Sequence, residues 1–528
     1  MNVKMIFIPV ISGCRRFLFF SLLFLAPSLL VMAQDRKAII QQIQTEANEH
    51  SQLETLAHEL LDKIGPRLTG TPQMEQAADW AINKYKSWGI PAKKEIWGEW
   101  SGWERGISHI DMIHPRVKSL EGMQLAWSPG TGGKTITADA IILPDLADSA
   151  AYRKWLPAVK GKFVLLSPLQ LTGRPEYNWQ EFATPESLEK IKDAQSRQTR
   201  NWNGRVARTG YTRKTLPPVL EEAGAAGIIT SNWSKGFGTN KIFAAYTKRV
   251  PSVDISLEDY GLLWRLAESG NPPRLSIRTD ARNTGKAPVF NTLAEIRGSE
   301  KPEEYIILSA HFDSWDGASG ATDNGTGTLI MMETMRILKK LYPHPRRTII
   351  AGHWAAEEHG LRGSKAFVED HPEIVKNIQV VFNQDNGTGR VITINGQGFA
   401  DAYDYLGRWL DAVPNKVAEG ITTTFPGMPS RGSSDHASFI AAGAPAFYLS
   451  SLNWAYGAYT WHTNRDTYDK IVFDDVRNNV ILTAILTYMA SEDPERASNK
   501  KRLLPVNRKT GERDSWPEFR SPVRQGGD

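Results

Sequence analysis

The stretch from residue 309 to 327, SAHFDSWDGASGATDNGTG, limits the possible folds of this chain more than any other part of it. It follows an apolar run, residues 305–308, that is typical of a buried strand, and its Gly, Ser, Thr and Asn residues predict a loop leading into a helix. Open α/β sheets place their chemistry in loops at the carboxyl ends of strands. His311 and Asp323 are therefore candidate metal ligands, and Asp313 is placed to orient the His311 ring.

The composition is that of a globular protein with more than one folded unit. The 528 residues are 41% hydrophobic and 23% charged, which is enough apolar material for sizeable cores. The formal net charge of +5 is small for this length, and the basic residues are dispersed apart from two local stretches, 197–214 and 500–524. The sequence therefore does not indicate a nucleic-acid partner.

The first 33 residues have the pattern of a secretory signal peptide. Basic residues precede an apolar run, residues 17–32, and Val31 and Ala33 are the small residues that signal peptidase reads. We predict an exported protein, periplasmic or secreted, without stable membrane insertion after cleavage; an uncleaved anchor is the alternative. The single cysteine, Cys14, lies in this segment, so the mature chain offers no disulfide and no thiolate ligand.

The rest of the chain divides into four parts that differ in their pattern of predicted helices and strands. Residues 34–114 begin with helices, one of them capped by Thr71, and end in a strand-like stretch. Residues 115–288 hold short apolar runs with an occasional helix and predict an inserted, smaller α/β or β-rich domain. Residues 289–498 alternate strand and helix, which predicts an α/β fold with a mixed central sheet and helices on both faces. Residues 499–528 form a basic tail that we expect to be extended.

Individual elements can be predicted in the last large part, whereas residues 171–214 are too polar to assign. The predicted strands lie at 291–296, 305–308, 348–354, 380–383 and 446–449. The predicted helices lie at 326–341, 363–369, 402–413 and 434–442.

Further acidic and histidine residues follow predicted strands in the same half of the chain. They are Glu357, Glu358 and Asp385, and His462 lies in a polar loop further on. Nitrogen and oxygen ligands without sulfur suit a catalytic zinc, and two ions ~3.5–4 Å apart need a bridging carboxylate. Taken singly, each is more simply a solvated or structural residue, and GATDNGTG lacks the Gly-Lys-Ser/Thr ending of a phosphate loop. Their joint occurrence at strand ends favours a metal centre.

In order along the chain, HFDSWDG, GATDNGTG, AAEEHGLRGS, NQDNG, SSDHASF and WHTNRDTYD resemble the zinc aminopeptidase and glutamate carboxypeptidase family, whose members hold two metals in one site. Within it, IGPRLTGT, WERG and HFDSWD are similar to the carboxypeptidase Q group. The resemblance covers most of residues 53–489. It implies a zinc-exopeptidase fold in which residues 115–288 are an inserted protease-associated domain, and 34–114 and 289–498 form the di-zinc peptidase domain.

The resemblance also implies a role for each candidate residue. Two zinc ions per chain would be held by five side chains: Asp323 would bridge them, His311 and Asp385 would complete one, and Glu358 and His462 the other. Glu357 would be the general base for a hydroxide shared by the two ions, and Asp313 would buttress His311. The resemblance further implies a cis peptide bond between Asp323 and Asn324.

Four residues are expected by analogy to line the substrate cleft: Asp435, His436, Tyr459 and Trp461. Their alternative interpretation is structural, as a capped helix start and packed aromatic residues. The residue after Asp385 is Asn386, and the pair Asp323-Asn324 also departs from the family's commoner sequences, so the resemblance describes the rim of the site less closely than the ligands.

The expected function is an exported, zinc-dependent exopeptidase acting on peptides or dipeptides. Aminopeptidase action is expected because most bacterial-looking members of this layout resemble aminopeptidases; dipeptidase or carboxypeptidase action of the carboxypeptidase Q type is the alternative. A non-catalytic, receptor-like homologue would show eroded ligands, and a glutaminyl-cyclase-like acyltransferase would hold one zinc. The sequence leaves homodimer formation, side-chain preference and the role of the inserted domain open.

Overall fold

A computed structural model of the protein describes residues 36–385 and 387–526. The predicted signal peptide, with Cys14, lies outside these residues. Within the described ranges, no helix has both the length and the apolar content needed to span a bilayer. The described residues are organised around two β-sheets, each with an apolar core of its own.

The strands are numbered along the chain. They are β1 (Ala92–Glu104), β2 (Ser108–His114), β3 (Lys118–Ser119), β4 (Gly122–Gln124), β5 (Ile136–Ile142), β6 (Phe163–Leu165), β7 (Gly227–Thr230), β8 (Ser252–Ile255), β9 (Arg274–Thr279), β10 (Arg282–Ile296), β11 (Lys301–His311), β12 (Arg347–Trp354), β13 (Ile378–Asn383), β14 (Val391–Asn395), β15 (Thr422–Thr424), β16 (Ala446–Ser451) and β17 (Gln525–Gly526).

The α-helices are numbered in the same way, starting from the first described residue. They are α1 (36–49), α2 (Leu53–Ala57), α3 (Pro72–Ser87), α4 (Ser149–Trp155), α5 (Glu176–Phe182), α6 (Pro185–Arg208), α7 (Leu216–Glu222), α8 (Leu257–Glu268), α9 (Thr326–Leu341), α10 (Arg362–Asp370), α11 (Pro372–Lys376), α12 (Ala402–Leu410), α13 (Asn415–Ala418), α14 (His436–Ala441), α15 (Tyr456–Tyr459) and α16 (Phe473–Glu492). A π-helical segment, His58–Ile64, follows α2, and Ala321–Gly325, which contains non-helical backbone at Asp323 and Asn324, precedes α9.

The larger sheet is mixed and has the strand order β15-β14-β16-β13-β11-β12-β10-β1-β17. At its centre β12, β11, β13 and β16 run parallel, so their carboxyl ends meet at one edge. The central strands are buried on both faces, as expected for parallel strands covered by helices. The edge of the sheet where these strands end is where the chemistry-bearing loops emerge.

The smaller sheet is also mixed and has the order β3-β2-β9-β5-β6-β7-β8-β4, with β5, β6, β7 and β8 parallel. Its apolar core is separate from that of the larger sheet. Strand β2 belongs to this sheet and precedes residue 115, the start we predict for the inserted domain. The two mixed sheets with their helices confirm the predicted α/β fold class; the domain boundaries stay a prediction.

Most of the predicted elements are present. Helix α9 has the predicted bounds, and Thr71 caps α3 by accepting a hydrogen bond from the Met74 N–H at 3.4 Å. The unassigned stretch 171–214 is mainly helical and contains α5 and α6. The tail, expected to be extended, is largely irregular but returns to the larger sheet, where β17 pairs with β1 and Arg524 forms ion pairs with Glu369 and Asp370.

Candidate metal centre

Two groups of side chains that could each hold a metal ion lie beside the carboxyl ends of the central strands. His311 ends β11, and the other members lie in loops after β11, β12, β13 and α15. The possible ligand atoms within each group lie within 4.8 Å of one another. The groups are His311, Asp323 and Asp385, and Asp323, Glu358 and His462.

Asp323 is common to both groups, and its two carboxylate oxygens face different histidines. Oδ1 lies 3.3 Å from His311 Nε2, and Oδ2 lies 3.3 Å from His462 Nε2. The same two ring nitrogens face a second carboxylate each, since His311 Nε2 is 3.1 Å from Asp385 Oδ1 and His462 Nε2 is 2.8 Å from Glu358 Oε2. The arrangement is two half-sites that share one carboxylate.

Zinc fits this arrangement because buried carboxylate oxygens at the site lack hydrogen-bond partners among the described residues. Asp323 Oδ2 and Glu358 Oε1 are buried and have no hydrogen-bond partner in the part of the chain that the structure describes, which is costly unless a cation or another donor compensates for it. Imidazole nitrogens and carboxylate oxygens are ligands that zinc accepts, and a shared carboxylate is what a two-metal site needs.

The loop that carries Asp323 is held by two residues that the sequence analysis did not single out. Arg67 is fully buried and donates hydrogen bonds to the carbonyl oxygens of Phe312, Ser319 and Gly320, at 2.7, 2.8 and 2.9 Å. The Asp466 carboxylate accepts hydrogen bonds from the backbone N–H groups of residues 322 and 323, at 2.8 and 3.0 Å. The peptide bond between Asp323 and Asn324 is cis, as the resemblance implies.

Asp313 contacts His311 through its backbone and uses its carboxylate elsewhere. The His311 Nδ1 nitrogen lies 2.9 Å from the backbone carbonyl oxygen of Asp313, whereas the nearest carboxylate oxygen is 3.7 Å away. The carboxylate instead accepts hydrogen bonds from the N–H groups of Glu357 and Glu358, at 3.1 and 3.4 Å. Asp313 thus orients the His311 ring through its backbone and the Glu357-Glu358 turn through its side chain.

Burial and neighbouring charges shift the pKa values of several groups at the site. Burial raises the pKa of Glu357 well above its usual value, and the neighbouring carboxylates Asp385, Asp435 and Glu358 add to the shift while His311 opposes it. For His311, burial disfavours the charged form, but Asp385 and Glu357 outweigh it and raise the pKa well above its usual value. A site with this density of carboxylates is electrostatically suited to cations.

The four expected cleft residues occupy two different environments. Asp435 and His436 are buried, and burial raises the pKa of Asp435 to about 7. The His436 ring stacks on that of Tyr448, whose hydroxyl group donates a hydrogen bond to the carbonyl oxygen of Asp385. Tyr448, which packs against His436, therefore holds the loop that carries Asp385.

Tyr459 and Trp461 lie on the more open side of the site. Trp461 is 39% exposed, and its ring centroid is 4.1 Å from that of His462. The Tyr459 hydroxyl group lies 3.4 Å from that of Tyr177, at the start of α5. These two aromatic residues are placed where a substrate could reach them.

Comparison with known proteins agrees with this geometry. Residues 291–486, which include every candidate ligand, match the profile of Peptidase family M28. Carboxypeptidase Q of Bos taurus is 28% identical over 329 residues, which are 62% of this chain and 63% of the bovine protein. The chain thus spans less than two thirds of the length of this curated relative.

Solved structures share the fold. An M28 peptidase precursor from Shewanella amazonensis superposes with a TM-score of 0.63 at 23% identity, over 88% of this chain and 99% of that one. A zinc aminopeptidase from Bacillus subtilis gives a TM-score of 0.53 at 18% identity, over 85% and 96% of the two chains. Residues 291–486 are thus similar to peptidase family M28, and the chain fits the zinc aminopeptidase and glutamate carboxypeptidase family that its motifs resemble.

Proposed function

We propose that this chain is a zinc-dependent exopeptidase that holds two zinc ions and hydrolyses peptide bonds at the ends of peptides or in dipeptides. The observation that carries the proposal is Asp323, whose two carboxylate oxygens face His311 and His462 in separate half-sites. The match of residues 291–486 to peptidase family M28 and the zinc aminopeptidase among the structures of the same fold support it.

The proposed ligand set follows the two half-sites. Asp323 would bridge the ions; His311 and Asp385 would complete one site, and Glu358 and His462 the other. When bound, zinc would act as a Lewis acid toward the scissile carbonyl group and would acidify a nearby water molecule.

Glu357 would carry the proton during hydrolysis. One of its carboxylate oxygens would accept a proton from the attacking water and then donate it to the leaving amine. Burial raises the pKa of Glu357, which makes it a better proton acceptor than an exposed glutamate. Asp313 would act as a positioning residue, because its carboxylate holds the backbone N–H group of Glu357.

The end of the substrate that is recognised is the open part of the proposal. Aminopeptidase action is supported by the fold shared with the Bacillus subtilis enzyme. Dipeptidase or carboxypeptidase action is supported by the similarity to carboxypeptidase Q. Two alternatives do not use two zinc ions: a receptor-like homologue and a glutaminyl-cyclase-like acyltransferase. They are less well supported, because the side chains for both half-sites are present.

Export and domain organisation belong to the same proposal. The apolar run and small residues of the first 33 residues support a signal peptide and a periplasmic or secreted protein. The separate core of the smaller sheet supports an inserted protease-associated domain at about residues 115–288.

A substrate panel combined with metal analysis tests the proposed function. Purified protein would be assayed on amino-acid anilides, dipeptides and peptides blocked at either end, before and after treatment with a chelator. We expect hydrolysis that is lost with chelator and restored by zinc, with two zinc ions per chain by elemental analysis. Hydrolysis unaffected by complete metal removal, or a chain that binds zinc but cleaves none of these substrates, would contradict the proposal.

A further inference from the structure

Lys241 reaches the metal centre from the segment between β7 and β8 of the smaller sheet. This segment pairs with the loop that carries His462: the Ile242 N–H group donates to the His462 carbonyl oxygen at 2.9 Å, and the Asn464 N–H group donates to the Asn240 carbonyl oxygen at 2.9 Å. Lys241 is therefore fixed next to a candidate ligand, although the two residues are more than 200 positions apart in the sequence.

The Lys241 amino group lies over an aromatic ring and forms no ion pair with another described residue. Its Nζ atom is 3.6 Å from the centroid of the Trp461 ring, which itself contacts the His462 ring. Among the described residues no carboxylate lies within 4.0 Å of it. Asp323 interacts with it electrostatically from further away. Burial lowers the pKa of Lys241 to about 8, with Asp323 opposing the shift, so the group is mainly cationic at neutral pH.

A cavity of about 570 Å³ opens beside Lys241 and extends into the smaller sheet's unit. Its size lies within the ~300–1,000 Å³ of small-molecule sites. Phe243 and Trp315 form its wall on the metal side, and the Phe243 ring centroid is 5.3 Å from that of His462. Trp202 and Leu216 also line it, and so does Arg213. The cavity thus combines large apolar side chains with Lys241, which lies over the ring next to His462.

The acidic group in this cavity is not available to a ligand. The Asp254 carboxylate accepts hydrogen bonds from the Thr230 hydroxyl group, the Asn232 N–H group and the Asn240 side-chain amide. A substrate's ammonium group would thus meet the charge of Lys241 and no free carboxylate among the residues that line the cavity. A substrate's carboxylate would gain a charge-assisted contact there.

We propose that Lys241 binds the free α-carboxylate of the residue on the C-terminal side of the scissile bond and that the adjoining cavity holds that residue's apolar side chain. The substrates are then dipeptides and short peptides with an unblocked C-terminus, and the enzyme acts as a dipeptidase or carboxypeptidase. This inference rests on the proposed exopeptidase function and chooses between its two forms.

Hydrolysis of Leu-Phe and its C-terminal amide by the zinc-loaded protein tests the role of Lys241. We expect the wild type to prefer the free acid by at least about tenfold in kcat/KM. Lys241→Met should remove most of that preference through a higher KM and leave hydrolysis of the amide nearly unchanged, and Lys241→Arg should retain part of it. Lys248→Met, which removes an exposed lysine seven residues further on, is the matched control and should behave as the wild type.

Equal hydrolysis of acid and amide by the wild type, or an equal loss on both probes in Lys241→Met, would overturn the inference. Leu-Lys tests the cavity in the same assay: we expect it to be cleaved several-fold less efficiently than Leu-Phe because an added positive charge would enter next to Lys241. Equal or better cleavage of Leu-Lys would overturn the assignment of the apolar cavity.

A binding measurement separates this inference from the proposed function. Calorimetric titration of zinc-loaded Glu357→Gln with Leu-Phe and with its amide should show tighter binding of the acid, and the double variant Glu357→Gln, Lys241→Met should lose the difference. If the wild type cleaves neither probe but this binding preference is present, the exopeptidase mechanism fails and the Lys241 site stands. Equal affinity for acid and amide, or no binding of either, would refute the Lys241 site.

Discussion

At the scale of single residues, the central question is how two adjacent glutamates take different roles. Glu358 faces His462 Nε2 at 2.8 Å and belongs to a half-site. Glu357 belongs to neither half-site, but its pKa is raised by burial and by the carboxylates around it. The Asp313 carboxylate fixes the backbone of both. The neighbouring side chains can thus bind metal and carry a proton separately.

The substitution Glu357→Gln should separate these roles. We expect two zinc ions to remain bound, while kcat falls by about 10²–10⁴-fold because the amide cannot accept the proton. Elemental analysis and steady-state kinetics on the same preparation check this. The exposed Glu373 provides a matched control, since Glu373→Gln should change neither quantity. A near-normal kcat in Glu357→Gln would remove the residue from the mechanism.

The candidate ligands could be identified from sequence, whereas the residues that hold them in place could not. His311, Asp323 and Asp385 follow strand ends within the ordered motifs, so local pattern and the family resemblance identify them. Arg67 donates hydrogen bonds to a loop about 250 residues away in the sequence. Lys241 lies between two strands of the smaller sheet. Nothing in the neighbouring sequence of either residue indicates these partners, although Arg67 lies in the IGPRLTGT motif.

At the scale of elements, the loop from β11 to α9 is the part of the fold on which the site depends. Its backbone carbonyl groups are held by Arg67 and its N–H groups at residues 322 and 323 by Asp466. Burial raises the pKa of Asp466 to about 7, and Asp323 adds to the shift. Arg67 and Asp466 thus hold the backbone of the loop up to Asp323, before α9 begins. These contacts fix the direction of the Asp323 side chain.

Replacing Asp466 should weaken metal binding without removing a ligand. We expect Asp466→Ala to lower zinc affinity by about 10–100-fold, the usual effect of losing a residue that orients a ligand. Competition with a chromophoric chelator measures this. Asp469→Ala is the control, because Asp469 is 71% exposed and contacts Thr467 and Lys470 in its own loop. Unchanged zinc affinity in Asp466→Ala would show that Asp323 needs no such support.

Two helices show why the sequence predicts some elements and not others. Helix α16 is buried over nearly all of its length and so lacks the polar stripe that marks a surface helix. Helix α6 has the opposite character, since Trp202 and Val206 are its only buried residues. Its Thr184-Pro185 start and its many Glu, Lys, Gln and Arg residues are a helix signal that could have identified it.

At the scale of the whole molecule, the pH dependence of stability includes a contribution from His353, which is buried in its neutral form. His353 lies on β12 with no exposed surface, and its Nε2 nitrogen is 2.7 Å from the Tyr85 hydroxyl group of α3. Burial lowers its pKa to about 3. The unfolded chain therefore takes up a proton on this residue between about pH 6.5 and 3 that the folded chain does not. This contribution to stability is complete above about pH 6.5 and is lost as the pH falls toward 3.

The variant His353→Gln should be less sensitive to acid than the wild type. Between pH 7 and pH 5 we expect the free energy of unfolding of the wild type to fall by about 2 kcal/mol more than that of the variant. Urea unfolding at the two pH values measures the difference. His344→Gln, at an exposed histidine, is the control and should follow the wild type. The same pH dependence in all three proteins would show that His353 titrates normally in the folded state.

The most direct test of the account is to locate bound zinc by anomalous diffraction at the zinc edge in crystals of the zinc-loaded protein. We expect two peaks per chain, one beside His311 and Asp385 and the other beside Glu358 and His462, with Asp323 in contact with both. A single peak, or peaks away from Asp323, would contradict it.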